Sequence, residues 1–300
     1  MRFTDGYLLL VPFKVNFRLL KQKLTGEYDL SIRKILKQIP PIRSVYYKHR
    51  VNELSKDYEG DILNYESVLR AIYEKGTGIK QVEFKNGSKL NIRDNIWDSI
   101  IVKEIFVDKP YVRRVNLPEA PIVVDIGGYI GDFVVYMGVW RDAARIIVYE
   151  PTIENYTLLQ KNVTENSLEG VVEAVNMAVG PDKEIVINTA VSEDGEIHAS
   201  SSWHARAEKR ITPCRTLDEV LAFHNLSNVD LLKIDCEGAE YDIVKSASDE
   251  ALSVCQNIVL EWHKIDNYSD KLQFTRDKLK KNGFELIEDL EEKIITGIRQ

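Results

Sequence analysis

Four short segments put carboxylates and glycines where they could do chemistry. In Val123-Val-Asp-Ile-Gly-Gly-Tyr-Ile-Gly-Asp132, Gly127, Gly128 and Gly131 lie between a β-branched run and a helical pattern. Such a turn lets backbone N–H groups approach a ligand, and the following helix N-terminus favours negative charge. A dinucleotide fingerprint needs G-x-G-x-x-G. Counted from Gly127 it meets Tyr129 and Asp132, and counted from Gly128 it meets Ile130 and Phe133, so a nicotinamide dinucleotide is disfavoured. Glu150 closes the next apolar run. A carboxylate there accepts two hydrogen bonds from vicinal ribose hydroxyls, an orienting bidentate contact. Lys233-Ile-Asp-Cys-Glu-Gly-Ala-Glu-Tyr-Asp242 carries four acids in ten residues, and Leu260-Glu-Trp-His263 adds a carboxylate and an imidazole.

These residues need a frame. The pattern predicts strands over 122–127, 145–150, 171–175, 229–235 and 257–262. Helices are predicted over 131–140, 153–166, 216–225 and 269–282, and a closing pair of strands in 284–290 and 293–299. Continuous apolar strands alternating with helices imply an α/β fold, with a parallel sheet covered on both faces. The stretch between 176 and 215 reads as an irregular polar insertion, and its part 198–210 as either a lid over the site or a surface loop. Upstream, Val82, Phe84, Leu90 and Ile92 alternate around Asn86-Gly87, a hairpin signal, followed by a helix over 97–106. A helix over 61–75 has Asp61 as N-cap and Gly76 as its stop, and residues 13–24 space Phe13, Phe17, Leu20 and Leu24 as an amphipathic basic helix.

Asp125-Ile-Gly127-Gly-Tyr-Ile-Gly131 resembles the D-x-G-x-x-x-G opening motif of Rossmann-like methyltransferases. Segments 97–111, 123–136, 147–162, 215–221 and 229–247 are together similar to one branch of these enzymes, the FkbM family, with weaker likeness at 258–263 and 279–287. The likeness covers residues 95–290 and leaves 1–75 unmatched. It implies a Rossmann-like class I methyltransferase domain over 118–300, after a mainly helical N-terminal accessory region over 1–78 and a hairpin-and-helix lead-in over 79–117. It also implies transfer of a methyl group from S-adenosylmethionine to a hydroxyl of a small-molecule or glycan acceptor: a sugar, a glycan or a secondary metabolite. Asp125 would hold the cationic amino-acid end of the cofactor, directly or through a water, and Glu150 its ribose. Gly127, Gly128, Tyr129, Gly131, Pro151, Ala178 and Asp235 would complete that site. Tyr129 departs from the family, which usually has Asn there, so one polar contact is altered.

Methyl transfer from a sulfonium is an in-line displacement that needs the acceptor oxygen ~3–3.5 Å from the methyl carbon and a group to take its proton. Asp235, Glu237, Glu261 and His263 fall at the ends of two core strands, where open parallel sheets bind ligands. Three roles are open for Asp235: a substrate-binding or basic role, a structural acceptor for the turn around Gly238, or, with Glu237 and Glu261, a ligand of Mg²⁺, which is not favoured. His263 is the best-placed imidazole for a general base. Glu240 and Asp242 fall in the first turn of the next helix, where negative charge suits the dipole.

The chain has 300 residues and a net charge of −7. Its first 60 residues carry 12 Lys and Arg against 6 Asp and Glu. A basic arm on an acidic body could meet an anionic partner or a membrane surface, solvate its own helices, or form a homodimer contact. No apolar run approaches the ~20 residues that span a bilayer, and no signal-like start is present. Three cysteines without metal spacing fit a reduced, cytoplasmic protein, peripheral at most to a membrane. Two rivals remain: a nucleic-acid methyltransferase using the basic arm, which lacks an N/D-P-P-Y motif after the fourth strand, and a non-catalytic scaffold of the same fold.

Overall fold

The computed structural model describes residues 7–10, 13–16, 61–65, 67–69, 78–191, 197–200 and 208–299. The chain divides into two compact units, Met1–Glu53 and Leu54–Gln300.

In the first unit, β1 (Tyr7–Leu10) and β2 (Phe13–Asn16) pair antiparallel, Leu8 opposite Val15 and Leu10 opposite Phe13. This corrects the helix expected to begin at Phe13. Phe13-Lys-Val-Asn16 alternates apolar and polar residues, and a partner strand makes that period of two decisive. The remainder of the expected basic helix, and with it any partner of the arm, lies outside the described residues.

The second unit opens on a helical turn at Tyr65 rather than at Asp61, whose carbonyl instead accepts the Lys85 N–H at 2.7 Å. The expected stop at Gly76 is outside the described residues. The hairpin forms as expected: β3 (Ile79–Glu83) pairs with β4 (Lys89–Arg93), Val82 opposite Leu90. Helix α1 (Ile96–Lys103) is capped by Asn95, whose side chain accepts the Asp98 N–H. It runs on into a π-helical segment, Glu104–Asp108, that ends on left-handed Lys109.

The central sheet is built by β5 (Ile122–Ile126), β6 (Arg145–Tyr149), β7 (Val172–Val175), β12 (Leu231–Ile234), β13 (Asn257–Glu261), β14 (Phe284–Asp289) and β15 (Ile294–Arg299). Their order is β14-β15-β13-β12-β5-β6-β7, with β15 alone antiparallel. This is the Rossmann-like methyltransferase sheet, and the direction of winding reverses between β5 and β12, where such sheets bind ligands. One face, with Val124, Ile126, Ile147, Leu232, Ile258 and Leu260, packs under α4 (Leu217–Phe223), α5 (Glu240–Ser246), α6 (Asp249–Ser253) and α7 (Tyr268–Lys281). On the other face lie α2 (Asp132–Trp140) and α3 (Ile153–Glu165). Strand parity puts Asp125, Lys233, Asp235 and Glu261 on this second face too, because Lys233 registers with both Asp125 and Val259.

The region expected to be an irregular polar insertion is a second sheet. β8 (Ala178–Val179), β9 (Glu184–Val191), β10 (Ile197–Ser200) and β11 (Glu208–Arg215) lie in the order β10-β9-β11-β8. The expected lid or loop over 198–210 is therefore strand at both ends, and residues 201–207 lie outside the described residues. Charges and Pro213 disguise β11, since proline cannot donate to a ladder. It sits opposite Glu184, at the very start of β9, where it breaks little pairing.

Asparagines dock the hairpin on α3. Asn162 accepts the Asn91 N–H at 2.7 Å and donates to the Asn91 carbonyl at 3.0 Å, so a side-chain amide stands in for a neighbouring strand. Asn166 repeats this on Lys89, at 2.9 and 2.7 Å. Asn91 and Asn162 are buried. Asn162→Ala leaves a buried donor and acceptor unpaired and is expected to lower the unfolding free energy by about 3 kcal/mol in urea titrations.

Candidate active site

A cavity of about 430 Å³ opens at the carboxyl ends of β5, β6, β12 and β13. Gly127, Gly128, Tyr129, Glu150, Pro151, Ala178, Asp235, Glu237, Glu261 and His263, all singled out from sequence, line it. Asp125 and Gly131 do not.

Its floor is the glycine turn. Gly127 has φ +89°, and a β-carbon there would stand 1.8 Å from the Asp235 carbonyl oxygen. Only glycine lets the ends of β5 and β12 come this close. Gly128 offers backbone to the cavity, but its missing side chain serves packing: a β-carbon would meet Val148 at 2.2 Å. Gly131 opens α2 with φ +82° and lies against Leu159.

Asp125 departs most from expectation. It is fully buried behind the cavity wall, and its Oδ1 accepts from Lys233 Nζ at 3.0 Å. The register that sets Lys233 beside Asp125 gives this carboxylate a cation from its own sheet, so it is not available to a ligand directly. Lys233 also donates to the Gly127 carbonyl at 3.1 Å and lies near the Tyr111 and Phe133 rings, 5.0 and 5.6 Å from their centroids. Burial works against its charge, but Asp125, Asp235 and Asp132 outweigh it and raise its pKa. Sequence reasoning passed over Lys233, yet a lysine inside a fully apolar strand must find a buried partner. Asp132, first residue of α2, was likewise unassigned. It lines the cavity, its Oδ1 has no hydrogen-bond partner, and burial raises its pKa to about 7.

The reactive wall is a carboxylate pair bridged by a phenol. Tyr111 Oη stands 2.5 Å from Glu261 Oε2, 3.1 Å from Asp235 Oδ2 and 3.4 Å from Glu104 Oε1. Its proton goes to the nearest, Glu261. Burial, then the charges of Asp235 and Glu261, push the phenol's pKa far up, so it stays a donor. Burial and the Asp235 charge raise Glu261 to about 7, and burial with Glu261 and Asp235 raises Glu104 to about 8. Tyr111 and Glu104 carry no motif. Glu104 begins the π-helical segment, a deformation frequent at functional sites. Arg113 pairs with Asp289 and Glu292, and Arg114 with Asp289, tying the Tyr111 loop to the β14–β15 turn.

His263 lies among four carboxylates. Its backbone N–H donates to Glu240 Oε1 at 2.8 Å and its Nδ1 lies 3.2 Å from the same oxygen. Its Nε2 lies 3.7 Å from Glu237, 3.9 Å from Glu261 and 4.0 Å from Asp235. Burial opposes its charge, but the Glu240 bond and the surrounding carboxylates prevail and raise its pKa to about 10. Glu240 begins α5 as expected, but it is fully buried and its other oxygen accepts the Gly238 N–H at 2.8 Å. It clamps His263 to the turn after β12. Asp242 is half exposed at the same helix start and pairs with Lys271 at 3.6 Å. Among the described residues no three His, Cys, Asp or Glu are grouped to hold a metal ion.

At the other end, Glu150 Oε2 accepts the Tyr129 N–H at 3.0 Å and Oε1 the Thr152 N–H at 2.8 Å. Oε1 also faces Asn155 Nδ2 at 3.4 Å, so Oε2 is the oxygen that keeps a lone pair for a ligand. Burial raises its pKa to about 7, against those backbone bonds. Trp97, Ile100 and Ile101 of α1 form one apolar wall, and Met177, Ile185 and Ile187 of the second sheet form another. No helix of the described residues is long and apolar enough to cross a membrane.

Comparison with known proteins gives a consistent family. The methyltransferase FkbM domain family matches residues 125–286. Methyltransferase sdnD of Sordaria araneosa is 26% identical over 235 residues, covering 67% of this chain and 89% of its own length. The AMB antimetabolite synthetase AmbE of Pseudomonas aeruginosa is 28% identical over 223 residues, 62% of this chain but 10% of AmbE. The crystal structure of methyltransferase FkbM from Methylobacillus flagellatus has 15% identity and a TM-score of 0.44, covering 88% of this chain and 60% of that one. The chain thus spans a tenth of AmbE and three fifths of the solved chain.

The charged His263 ring has a testable consequence. Its folded pKa of about 10 lies above the ordinary 6.5. The stability it contributes is therefore complete below pH ~6.5 and is lost as pH rises toward 10. Glu261, raised from 4.5 to about 7, acts in the same sense over the lower window. Melting temperature is expected to fall between pH 7 and 10, and His263→Gln to flatten that fall. An unchanged slope in the variant would contradict the assignment.

Proposed function

Because the chain belongs to the FkbM methyltransferase family, we propose that it transfers the methyl group of S-adenosylmethionine to a hydroxyl oxygen of a small-molecule or glycan acceptor. The observation that carries this reading is one cavity with Glu150 at one end and the Tyr111–Glu261–Asp235 constellation at the other, over a glycine turn too close for any side chain.

The residues fit such a cofactor. Glu150 has acceptor capacity left on Oε2, and the Tyr129 and Thr152 N–H groups fix its orientation. Asp132 lines the cavity with one carboxylate oxygen unpartnered and suits the ammonium end, whereas Asp125, whose Oδ2 is also unpartnered, lies behind the wall with its Oδ1 on Lys233. When bound, the cofactor supplies an electrophilic methyl on a cationic sulfur. The surrounding carboxylates favour that positive charge.

Glu261 is the proton acceptor of this mechanism. Its pKa of about 7 matches neutral operation. Taking the acceptor's proton removes its repulsion with Asp235, and Tyr111 holds Oε2 while Oε1 stays available. Asp235 lies 3.8 Å from Lys233 and 3.1 Å from the phenol, which it orients. His263, already protonated, holds the carboxylates in place and donates. The apolar walls suit an acceptor that presents a ring face or carbon skeleton around one hydroxyl, as a sugar or secondary metabolite does.

Calorimetry tests the reading directly, and no binding at millimolar S-adenosylmethionine would sink it. Glu150→Ala is expected to weaken the cofactor by about tenfold or more, as for other lost hydrogen bonds to a charged group. Glu261→Gln is expected to act on kcat, lowering it about 10²-fold once an acceptor is found.

A further inference from the structure

The carboxylate at the end of β6 does not stand alone. It belongs to a closed ring of side chains that reaches back into the hairpin and α1. Tyr129 closes one side, with its N–H on Glu150 Oε2 at 3.0 Å and its hydroxyl on Asp98 Oδ1 at 2.7 Å. Arg93 closes the other. Its Nε and Nη2 donate to Asp98 at 3.0 and 3.2 Å, and its Nη1 to Asn155 Oδ1 at 2.7 Å. Asn155 Nδ2 lies 3.4 Å from Glu150 Oε1 and completes the circuit. The Arg93 guanidinium also lies 4.9 Å from the Tyr129 ring centroid.

Three features make this more than local packing. Asp98 and Asn155 are buried, and Asp98 accepts from Arg93 N, Arg93 Nε and Nη2, Asn95 Nδ2 and Tyr129 Oη, so its charge is fully engaged on one geometry. Tyr129 sits at φ +46°, a region that disfavours an aromatic residue and that Asn enters more easily. Strain of this kind persists where the surroundings over-determine it. The circuit also ends on both oxygens of Glu150, a carboxylate that lines the cavity. An Arg fork across a carboxylate is planar and geometrically exacting, which suits orientation better than adhesion.

We infer that Arg93, Asp98 and Tyr129 are positioning residues for Glu150, so that the hairpin and α1 form an integral part of the cofactor site. The inference rests on the proposal that Glu150 receives the cofactor's ribose. It assigns to β4 and α1 a function in binding that their sequence does not announce, and it gives Tyr129 its role through its backbone N–H and its hydroxyl together. Its ring lines the cavity.

A double-mutant cycle tests it on the full chain, with S-adenosylmethionine affinity read by calorimetry and folding by thermal melts. Tyr129→Phe, which deletes the hydroxyl and with it the bond to Asp98, is expected to raise Kd about tenfold in the unaltered background and less than about twofold in the Glu150→Ala background. A merely structural tyrosine would lower the melting temperature without this dependence on Glu150. Asp98→Asn, which keeps the shape and removes the charge, is read in the same way should Tyr129→Phe fail to fold. Unchanged Kd in these variants, or equal losses in both backgrounds, overturns the inference alone. Failure of the unaltered chain to bind the cofactor overturns the ribose reading and the inference with it.

Discussion

The buried pair of Lys233 and Asp125, side by side on the two central strands, is the interaction on which the site depends. Burying two charges costs several kcal/mol per ion before their attraction is counted, so such a pair is poor evidence of stability. Its value here is placement. Lys233 holds the Gly127 carbonyl from below and lies 3.8 Å from Asp235, so it joins the glycine turn to the acidic end of β12. Without that cation, Asp125, Asp132 and Asp235 would crowd one face of the sheet with nothing to offset them. With it, the sheet can present carboxylates to a ligand and still fold.

Given that cation, the remaining acids sort by environment. Glu240 is engaged from two sides and works as a clamp on His263. Glu261 is pushed upward by burial and Asp235, and Glu104 by burial, Glu261 and Asp235, which leaves protons to move near neutral pH. Tyr111 arbitrates among them with one proton to give. It arrives from outside the sheet, on a loop that follows a π-helical segment and is tied down by Arg113 and Arg114. Those surface ion pairs contribute little energy individually. As a network at the base of that loop, they restrict where the phenol can be.

The elements flanking the sheet serve as walls. Helix α1 comes from before the glycine motif, the second sheet from the long connection after β7, and each adds an apolar side to the same cavity. Asparagines on α3 fasten the hairpin by taking over the hydrogen bonds of an edge strand, which also protects that edge from other chains.

Much of this was determined by the sequence alone. Hydrophobic runs of strand length, separated by helical periods, specify the α/β sheet, because burial on both faces demands continuous apolar strands. The glycine turn, Glu150 and the acids after β12 and β13 were legible for the same local reason: each stands where a strand ends and a helix or turn begins. The hairpin was legible from Asn86-Gly87 between alternating residues. Other features lay beyond reach because they depend on register and on contacts between distant segments. Strand parity alone allows Lys233 to face Asp125, but only the pairing of β5 with β12 makes it do so. Tyr111 and Glu104 stand 124 and 131 positions before Asp235 in a segment without a motif, and folding alone brings the three together. The polarity of β9 and β11 concealed the second sheet, since a strand with one solvated face and a proline resembles a loop until its partners are known. The protonation of His263 was likewise a tertiary decision. A histidine after a strand is a base or an acid according to the carboxylates that surround it, and here Glu240 comes from another helix to settle the matter.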